Sequence, residues 1–152
     1  MTAHEFETSI EWRGAKQGAV SAPGLPGMDV ASPPVFGGVE ATWTPEHLFV
    51  ASANVCVMMT FLAMAEFSKL AVSGYRSDAT GRLEKVPGEG FQFTAIDVHP
   101  RIELERESDI ARAERILQKA EASCLISKSM KTPVRLSPVF DASEVQQPLE
   151  AG

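Results

Sequence analysis

Two cysteines, Cys56 and Cys124, are the residues of this chain with the most distinctive chemistry. A thiolate can attack a peroxide oxygen, but a free thiol with a pKa near 8.5 is only slightly ionised at pH 7. A redox role therefore requires a cation near the reacting sulfur. Buried cysteines also serve as small hydrophobic core residues, so the residue types leave two interpretations open, a redox pair and two inert thiols.

Metal binding is not predicted. Two cysteines are too few for a disulfide framework or, unaided, for a zinc site, and the three histidines show no ligand spacing. We therefore expect no metal and no cofactor. His47 follows Glu46 in the first turn of a helix and could act as a base, but a histidine there is more often exposed or part of the helix cap.

The element that carries Cys56 is a long apolar helix. Thr44, Pro45 and Glu46 supply an N-cap residue, a proline and an acid in the first turn, which is a typical helix start. No glycine or proline follows before Val72, so the sequence predicts an unbroken helix to that residue.

This helix has no polar face. Residues 48–65 are uncharged and apolar on nearly all sides, which predicts a buried helix. A membrane span is disfavoured, because the run lacks a basic flank and is interrupted by Ser52, Asn54 and Thr60. A straight helix over 45–72 would be about 42 Å long, whereas a compact monomer of this size is about 38 Å across. Either the helix is broken or a second subunit covers it, and we favour a homodimer.

The remaining patterns predict strands and helices without repeated βαβ units, which indicates an α+β fold. The first are a half-buried strand at 5–13 with Phe6, Thr8, Ile10 and Trp12 on one face, a returning strand at 19–21 and a loop at 23–38. Residues 74–86 and 91–105 are predicted to form two or three strands of a β-meander, joined by a turn at 87–90. A helix from Ser108–Asp109 that turns Cys124 inward and a last strand at 134–140 follow. Residues 1–142 are expected to form a single domain and residues 143–152 a flexible tail.

The composition and net charge of the chain indicate a globular protein and argue against some kinds of binding partner. The chain has 152 residues, of which 44% are hydrophobic and 22% charged, so one globular core is expected. Its formal net charge of −6 argues against sequence-independent binding to nucleic acid or to an anionic membrane. The acidic first residues do not resemble a signal peptide, and we expect a cytoplasmic protein.

Three segments resemble the OsmC/Ohr family of osmotically inducible and organic hydroperoxide resistance proteins. They are Trp-Thr-Pro-Glu-His-Leu-Phe-Val-Ala-Ser-Ala-Asn-Val-Cys at 43–56, Ala-Ile-Asp-Val-His-Pro at 95–100 and Lys-Ala-Glu-Ala-Ser-Cys-Leu-Ile-Ser at 119–127. The resemblance covers nearly the whole chain. It implies an intertwined homodimer in which curved antiparallel sheets surround long buried central helices.

The resemblance also implies a thiol-dependent peroxidase that works without haem or metal. Cys56 matches the peroxidatic cysteine of the family and Cys124 the resolving one. Glu46 matches the glutamate that orients an arginine beside the reactive sulfur. The turn at 14–18, where the hydroperoxide resistance proteins carry that arginine, holds Lys16 in this chain, and Arg13 lies three residues earlier. Either residue is a candidate to replace the arginine, and we favour Lys16.

Two functions follow as hypotheses. The first is reduction of organic hydroperoxides, in which a Cys56 sulfenic acid condenses with Cys124 and an external dithiol reduces the disulfide, with Phe49, Met59 and Phe61 forming an apolar substrate pocket. The second is a binding protein with weak or no peroxidase activity that holds a small apolar or thiol ligand at the dimer interface. Lysine lacks the planar fork of arginine, which motivates the second hypothesis.

Overall fold

The computed structural model describes residues 2–142. The first compact unit of the chain extends to Phe49 and contains a three-stranded antiparallel sheet. Its strands are β1 (Ser9–Gly14), β2 (Gln17–Ala22) and β3 (Leu25–Ala31), in that order across the sheet. The β1–β2 turn requires positive φ at Gly14 (104°) and Ala15 (45°). The returning strand predicted at 19–21 is thus present as β2.

Two sequence predictions for this unit are wrong. The stretch 23–38 is not a loop throughout, since it contains β3 and a short 3-10 helix at Pro34–Phe36. Because β3 is an edge strand, Pro26 fits there despite lacking an N–H. The strand at 5–13 begins only at Ser9 and is not half-buried: Ile10 and Trp12 are 69% and 76% exposed, since its alternating apolar face has no cover within the part of the chain that the structure describes.

The long helix α1 spans Pro45–Phe67, about 35 Å. The start agrees with the sequence prediction, but the extension to Val72 is wrong. Lys69 adopts a left-handed conformation with φ of 55°, and two hydrogen bonds close the helix end, from the Leu70 N–H to the Ala65 carbonyl and from the Lys69 N–H to the Glu66 carbonyl. This is a Schellman motif, in which glycine usually takes the position that Lys69 holds here.

One stripe of α1 is fully buried. It consists of residues four apart: Ala53, Val57, Phe61 and Ala65. By length and composition the helix could cross a membrane, and only 22% of its most apolar window is buried within this chain. Val55 and Met59 are 50% and 56% exposed on the other side.

The second unit, from residue 50 onward, is built on a long hairpin. Strands β4 (Val72–Val86) and β5 (Gly90–Leu104) are antiparallel, and the predicted turn joins them. Two short strands, β6 (Val134–Leu136) and β7 (Val139–Ala142), pair with β5 in parallel. The prediction of one strand over 134–140 is therefore wrong. Pro138, which cannot donate to a ladder, lies between the two strands.

Helix α1 approaches the hairpin closely at Gly81. A Cβ added there would overlap a methyl group of Val50 and lie 2.9 Å from the Phe93 ring, so a larger residue at this crossing would force these side chains to move. Glycine in the middle of a strand marks such close approaches.

Helix α2 (Ile110–Ser123) follows a 3-10 turn and is succeeded by the short α3 (Leu125–Ser129). Arg112 of α2 donates to the Ser68 carbonyl at 2.9 Å, which satisfies an acceptor beyond the end of α1. Side chains of α1, β5 and α2 form one core cluster, whose fully buried members include Val57, Phe61, Ile102, Leu104, Leu117 and Cys124. The α+β class is confirmed. The single domain over 1–142 stays a prediction, and the predicted tail at 143–152 lies outside the described residues.

Candidate active site

Cys56 lies in the middle of α1, at the border of its buried stripe. The residue is half-buried and packs against the core cluster. Its sulfur is 3.8 Å from the hydroxyl of Thr60, one turn further along the helix. The side chain is therefore partly accessible to solvent, while the core cluster and the Thr60 hydroxyl contact it.

Cys124 is completely buried at the junction of α2 and α3. Its inward orientation agrees with the apolar spacing of the sequence, but the residue is not helical: α2 ends at Ser123, and Cys124 has an extended ψ of 111°. Ser127 donates a hydrogen bond from its hydroxyl to the Cys124 sulfur at 3.3 Å.

The two cysteine side chains are neighbours, and both are free thiols. Burial raises the pKa of the Cys124 thiol, but hydrogen bonding from Cys56, from the Ser127 hydroxyl and from the backbone N–H groups of Ser127 and Ile126 outweighs it, so that the pKa lies below its ordinary value. The fold thus brings residues 68 positions apart into one thiol pair. Formation of a disulfide between them stays a prediction.

Glu46 is a half-buried residue in the first turn of α1. Its Oε2 atom is buried and has no hydrogen-bond partner among residues 2–142. A buried carboxylate oxygen without a partner is costly, and such groups normally face a donor or a cation.

Thr44 and His47 form the cap of α1. The Thr44 hydroxyl accepts the His47 backbone N–H at 3.1 Å and lies 2.7 Å from the His47 Nδ1 atom. His47 therefore takes part in the helix cap, as its position in the sequence suggested, and its ring stands edge-on to Trp43 with centroids 6.2 Å apart.

Lys16 lies in the turn between β1 and β2. Its ammonium group donates to the Phe36 carbonyl at 2.7 Å, at the end of the 3-10 helix. Arg13, the alternative cation, pairs with Glu11 at 3.5 Å on the surface. Lys16 thus has a structural contact of its own, and its role beside Cys56 stays a prediction.

The three predicted pocket residues have different surroundings. Phe61 is 0% exposed in the core, with its ring centroid 5.9 Å from that of Tyr75. Met59 is 56% exposed on the far side of α1, and Phe49 is half-buried. Their shared role in a substrate pocket stays a prediction.

Sequence reasoning missed a buried polar group between α1 and β4. The Asn54 amide donates to the Ser77 carbonyl at 3.3 Å, whereas Oδ1 of Asn54 and the hydroxyls of Tyr75 and Ser77 are buried without a hydrogen-bond partner in the described chain. Burial raises the pKa of Tyr75 to about 12, and the nearby Ser77 hydroxyl acts in the opposite direction without completing a hydrogen bond. The uncharged character of 48–65 concealed this group.

No cluster of three or more histidine, cysteine or acidic side chains able to hold a metal occurs within residues 2–142. The chemistry available to the described residues is that of two adjacent thiols. The hydroxyl groups of Thr60 and Ser127 lie beside them.

Residues 38–138 match the family model described as OsmC-like protein, which covers more than half of the chain. The chain belongs to the OsmC-like family. In this fold the apolar helix is a core helix. The uncharacterized protein YmaD of Bacillus subtilis is 26% identical over 141 residues, 90% of this chain and 93% of that protein.

Solved structures of OsmC-like proteins have the same fold. An OsmC-like protein of unknown function from Vibrio cholerae superposes with a TM-score of 0.83 at 21% identity, covering 90% of this chain and 100% of that one. An organic hydroperoxide resistance protein from Elizabethkingia anophelis, crystallised with thiocyanate, superposes with a TM-score of 0.73 at 19% identity, covering 93% and 98%. The family match over residues 38–138 confirms the resemblance inferred from the three sequence segments.

Proposed function

We propose that this OsmC-like protein is a thiol peroxidase that reduces organic hydroperoxides. The observation that carries the proposal is the pair of neighbouring free thiols, one half-buried on α1 and one fully buried, in a family that includes hydroperoxide resistance proteins. A peroxidatic sulfur must be reachable by substrate, and a resolving sulfur must reach the first without being oxidised itself.

The first step takes place at Cys56. The Cys56 thiol first loses its proton to solvent, because the thiolate is the form that attacks a peroxide. The Cys56 thiolate then attacks the terminal oxygen of the hydroperoxide, the O–O bond breaks, and the alkoxide takes up a proton and leaves as an alcohol. Cys56 is oxidised to the sulfenic acid, and the peroxide receives the two electrons.

The second step forms the Cys56–Cys124 disulfide. The Cys124 sulfur attacks the sulfenic sulfur, the S–O bond breaks, and the hydroxide leaves with the Cys124 proton as water. An external dithiol returns two electrons by thiol–disulfide exchange.

The exposed apolar side of α1 supports a homodimer as the working form. Val55 and Met59 are half-exposed in one chain although they belong to the most apolar helix of the protein. A second copy would bury them, and it would bring further groups near Glu46 Oε2, which has no hydrogen-bond partner among residues 2–142. We place the dimer in the cytoplasm, where thiol reductants are available.

The second candidate, a binding protein without fast chemistry, is favoured by one observation. Lys16, which stands where the resemblance expects an arginine, donates to a backbone carbonyl. In that contact the Lys16 ammonium group stabilises the segment that ends at Phe36 rather than a thiolate.

Stopped-flow oxidation of the reduced protein separates the two candidates. The enzyme proposal predicts faster oxidation by cumene hydroperoxide than by hydrogen peroxide, loss of both thiols per turnover, and no reaction in Cys56→Ser. Lys16→Met tests the cation: slower oxidation supports its role beside Cys56, and an unchanged rate excludes it. Oxidation of the wild type no faster than that of free cysteine would favour the binding protein.

A further inference from the structure

Ser127 is a polar neighbour of the buried Cys124 sulfur that the peroxidase steps leave without a role. Its hydroxyl donates to Cys124 Sγ at 3.3 Å, from one turn into α3. The other serine of that helix, Ser129, donates instead to the Leu125 carbonyl at 2.7 Å on the surface. The two serines thus differ in whether they contact the sulfur.

The surroundings of Cys124 make this contact important. The residue is 0% exposed and belongs to the apolar core cluster, so water cannot stabilise negative charge on its sulfur. Among residues 2–142, the groups that do so are the Ser127 hydroxyl, which donates at 3.3 Å, the adjacent Cys56 thiol and the nearby backbone N–H groups of Ile126 and Ser127.

The Cys56 thiol cannot serve in the second step. Once Cys56 has become a sulfenic acid, its S–H donor no longer exists, and its sulfur is the atom under attack. The Ser127 hydroxyl is then the remaining side-chain donor to Cys124 identified in the described chain.

We propose that Ser127 is a positioning residue for disulfide formation: its hydroxyl orients Cys124 Sγ and stabilises the thiolate that attacks the Cys56 sulfenic acid. This inference rests on the proposed function. In the step itself the S–S bond forms, the S–O bond of the sulfenic acid breaks, and hydroxide leaves with the Cys124 proton as water. Ser127 keeps its own proton throughout.

The expected effect follows from two opposing trends. Loss of one hydrogen bond to a charged group lowers the thiolate fraction about tenfold. The thiolate that remains is more basic and hence more nucleophilic, with a Brønsted coefficient of about 0.4–0.5. The net expectation for Ser127→Ala is disulfide formation about threefold slower.

The test is a single turnover with one equivalent of cumene hydroperoxide, with dimedone present to trap the sulfenic acid. Ser127→Ala should oxidise Cys56 at the wild-type rate but yield about threefold more dimedone adduct. Ser127→Thr, which keeps the hydroxyl, and the matched control Ser129→Ala should behave as wild type. A wild-type partition in Ser127→Ala would overturn the proposal, as would an equal increase in Ser129→Ala.

Two further measurements do not depend on peroxidase activity. Diamide first adds one thiolate across its N=N bond. The second thiolate then attacks the bound sulfur, the S–N bond breaks, and the disulfide and the hydrazine form. Ser127→Ala should slow this second step as well. In Cys56→Ser, Cys124 is the single cysteine, and its thiolate absorbance at 240 nm should titrate at higher pH when Ser127→Ala is added. An unchanged titration excludes the charge-stabilising role. A wild type that is inert to the hydroperoxide would refute the proposed function alone, because the diamide arm still tests Ser127.

Discussion

Substitution of Phe61 tests whether this side chain of α1 is structural or contacts substrate. The residue was predicted to line the substrate pocket, yet it is 0% exposed within the core. Truncation of a buried phenylalanine costs about 3–5 kcal/mol, and the aromatic contact with Tyr75 contributes to that cost. We therefore expect Phe61→Ala to lower the free energy of unfolding by about 4 kcal/mol, or to lower Tm by roughly 8–16 °C for a chain of this size.

The assay is urea unfolding at a fixed protein concentration, followed by peroxide kinetics on the fraction that remains folded. Phe91→Ala removes the same atoms from a residue that is 57% exposed, and it should cost less than about 2 kcal/mol. Phe61→Leu should restore most of the lost stability. A loss below about 1 kcal/mol in Phe61→Ala, combined with a raised KM for cumene hydroperoxide, would show that Phe61 contacts substrate and would refute its assignment to the core.

Four further predictions follow from single contacts. Tyr75 is the only tyrosine, so absorbance at 295 nm should show one ionisation near pH 12 in the folded protein and near pH 10 after unfolding. Because the folded state keeps this proton to higher pH than the unfolded state, the free energy of unfolding should fall between pH 10 and 12. Tyr75→Phe should remove that part of the decline. Thr44→Ala should cost about 0.5–2 kcal/mol by removing the cap of α1, and Thr44→Ser should cost much less, as measured by thermal unfolding. Met59→Glu should convert a dimer to a monomer in sedimentation, whereas a wild type that is already a stable monomer would contradict the dimer. Glu46→Gln should slow peroxide reduction at least about tenfold while changing stability by less than about 1 kcal/mol, and an unchanged rate would remove Glu46 from the site.

The elements best predicted from the sequence are those with strong local signals. The cap of α1, the turn between β4 and β5, and the amphipathic α2 each follow from residue types at fixed spacing. The end of α1 could not be predicted, because the left-handed residue that closes it is Lys69 rather than glycine. The strand β3 was missed because an edge position tolerates the proline and glycines that normally break a strand.

The candidate site was only partly predictable. The sequence singled out Cys56 and Cys124, but their pairing came from the family resemblance, since no local pattern reports a contact between α1 and the junction after α2. The same limit hid Ser127, whose hydroxyl matters only because the chain bends at Cys124 and brings it to the sulfur. Tertiary contacts of this kind leave no periodic signature.

The most direct test of the account is peptide mapping after the reduced protein has consumed one equivalent of cumene hydroperoxide. We predict one intrachain disulfide between Cys56 and Cys124, and in Cys124→Ser a sulfenic acid that stays on Cys56 and reacts with dimedone. Two free thiols after exposure to the peroxide, or oxidation beyond the sulfenic acid at Cys56 with Cys124 still reduced, would contradict the two-thiol mechanism.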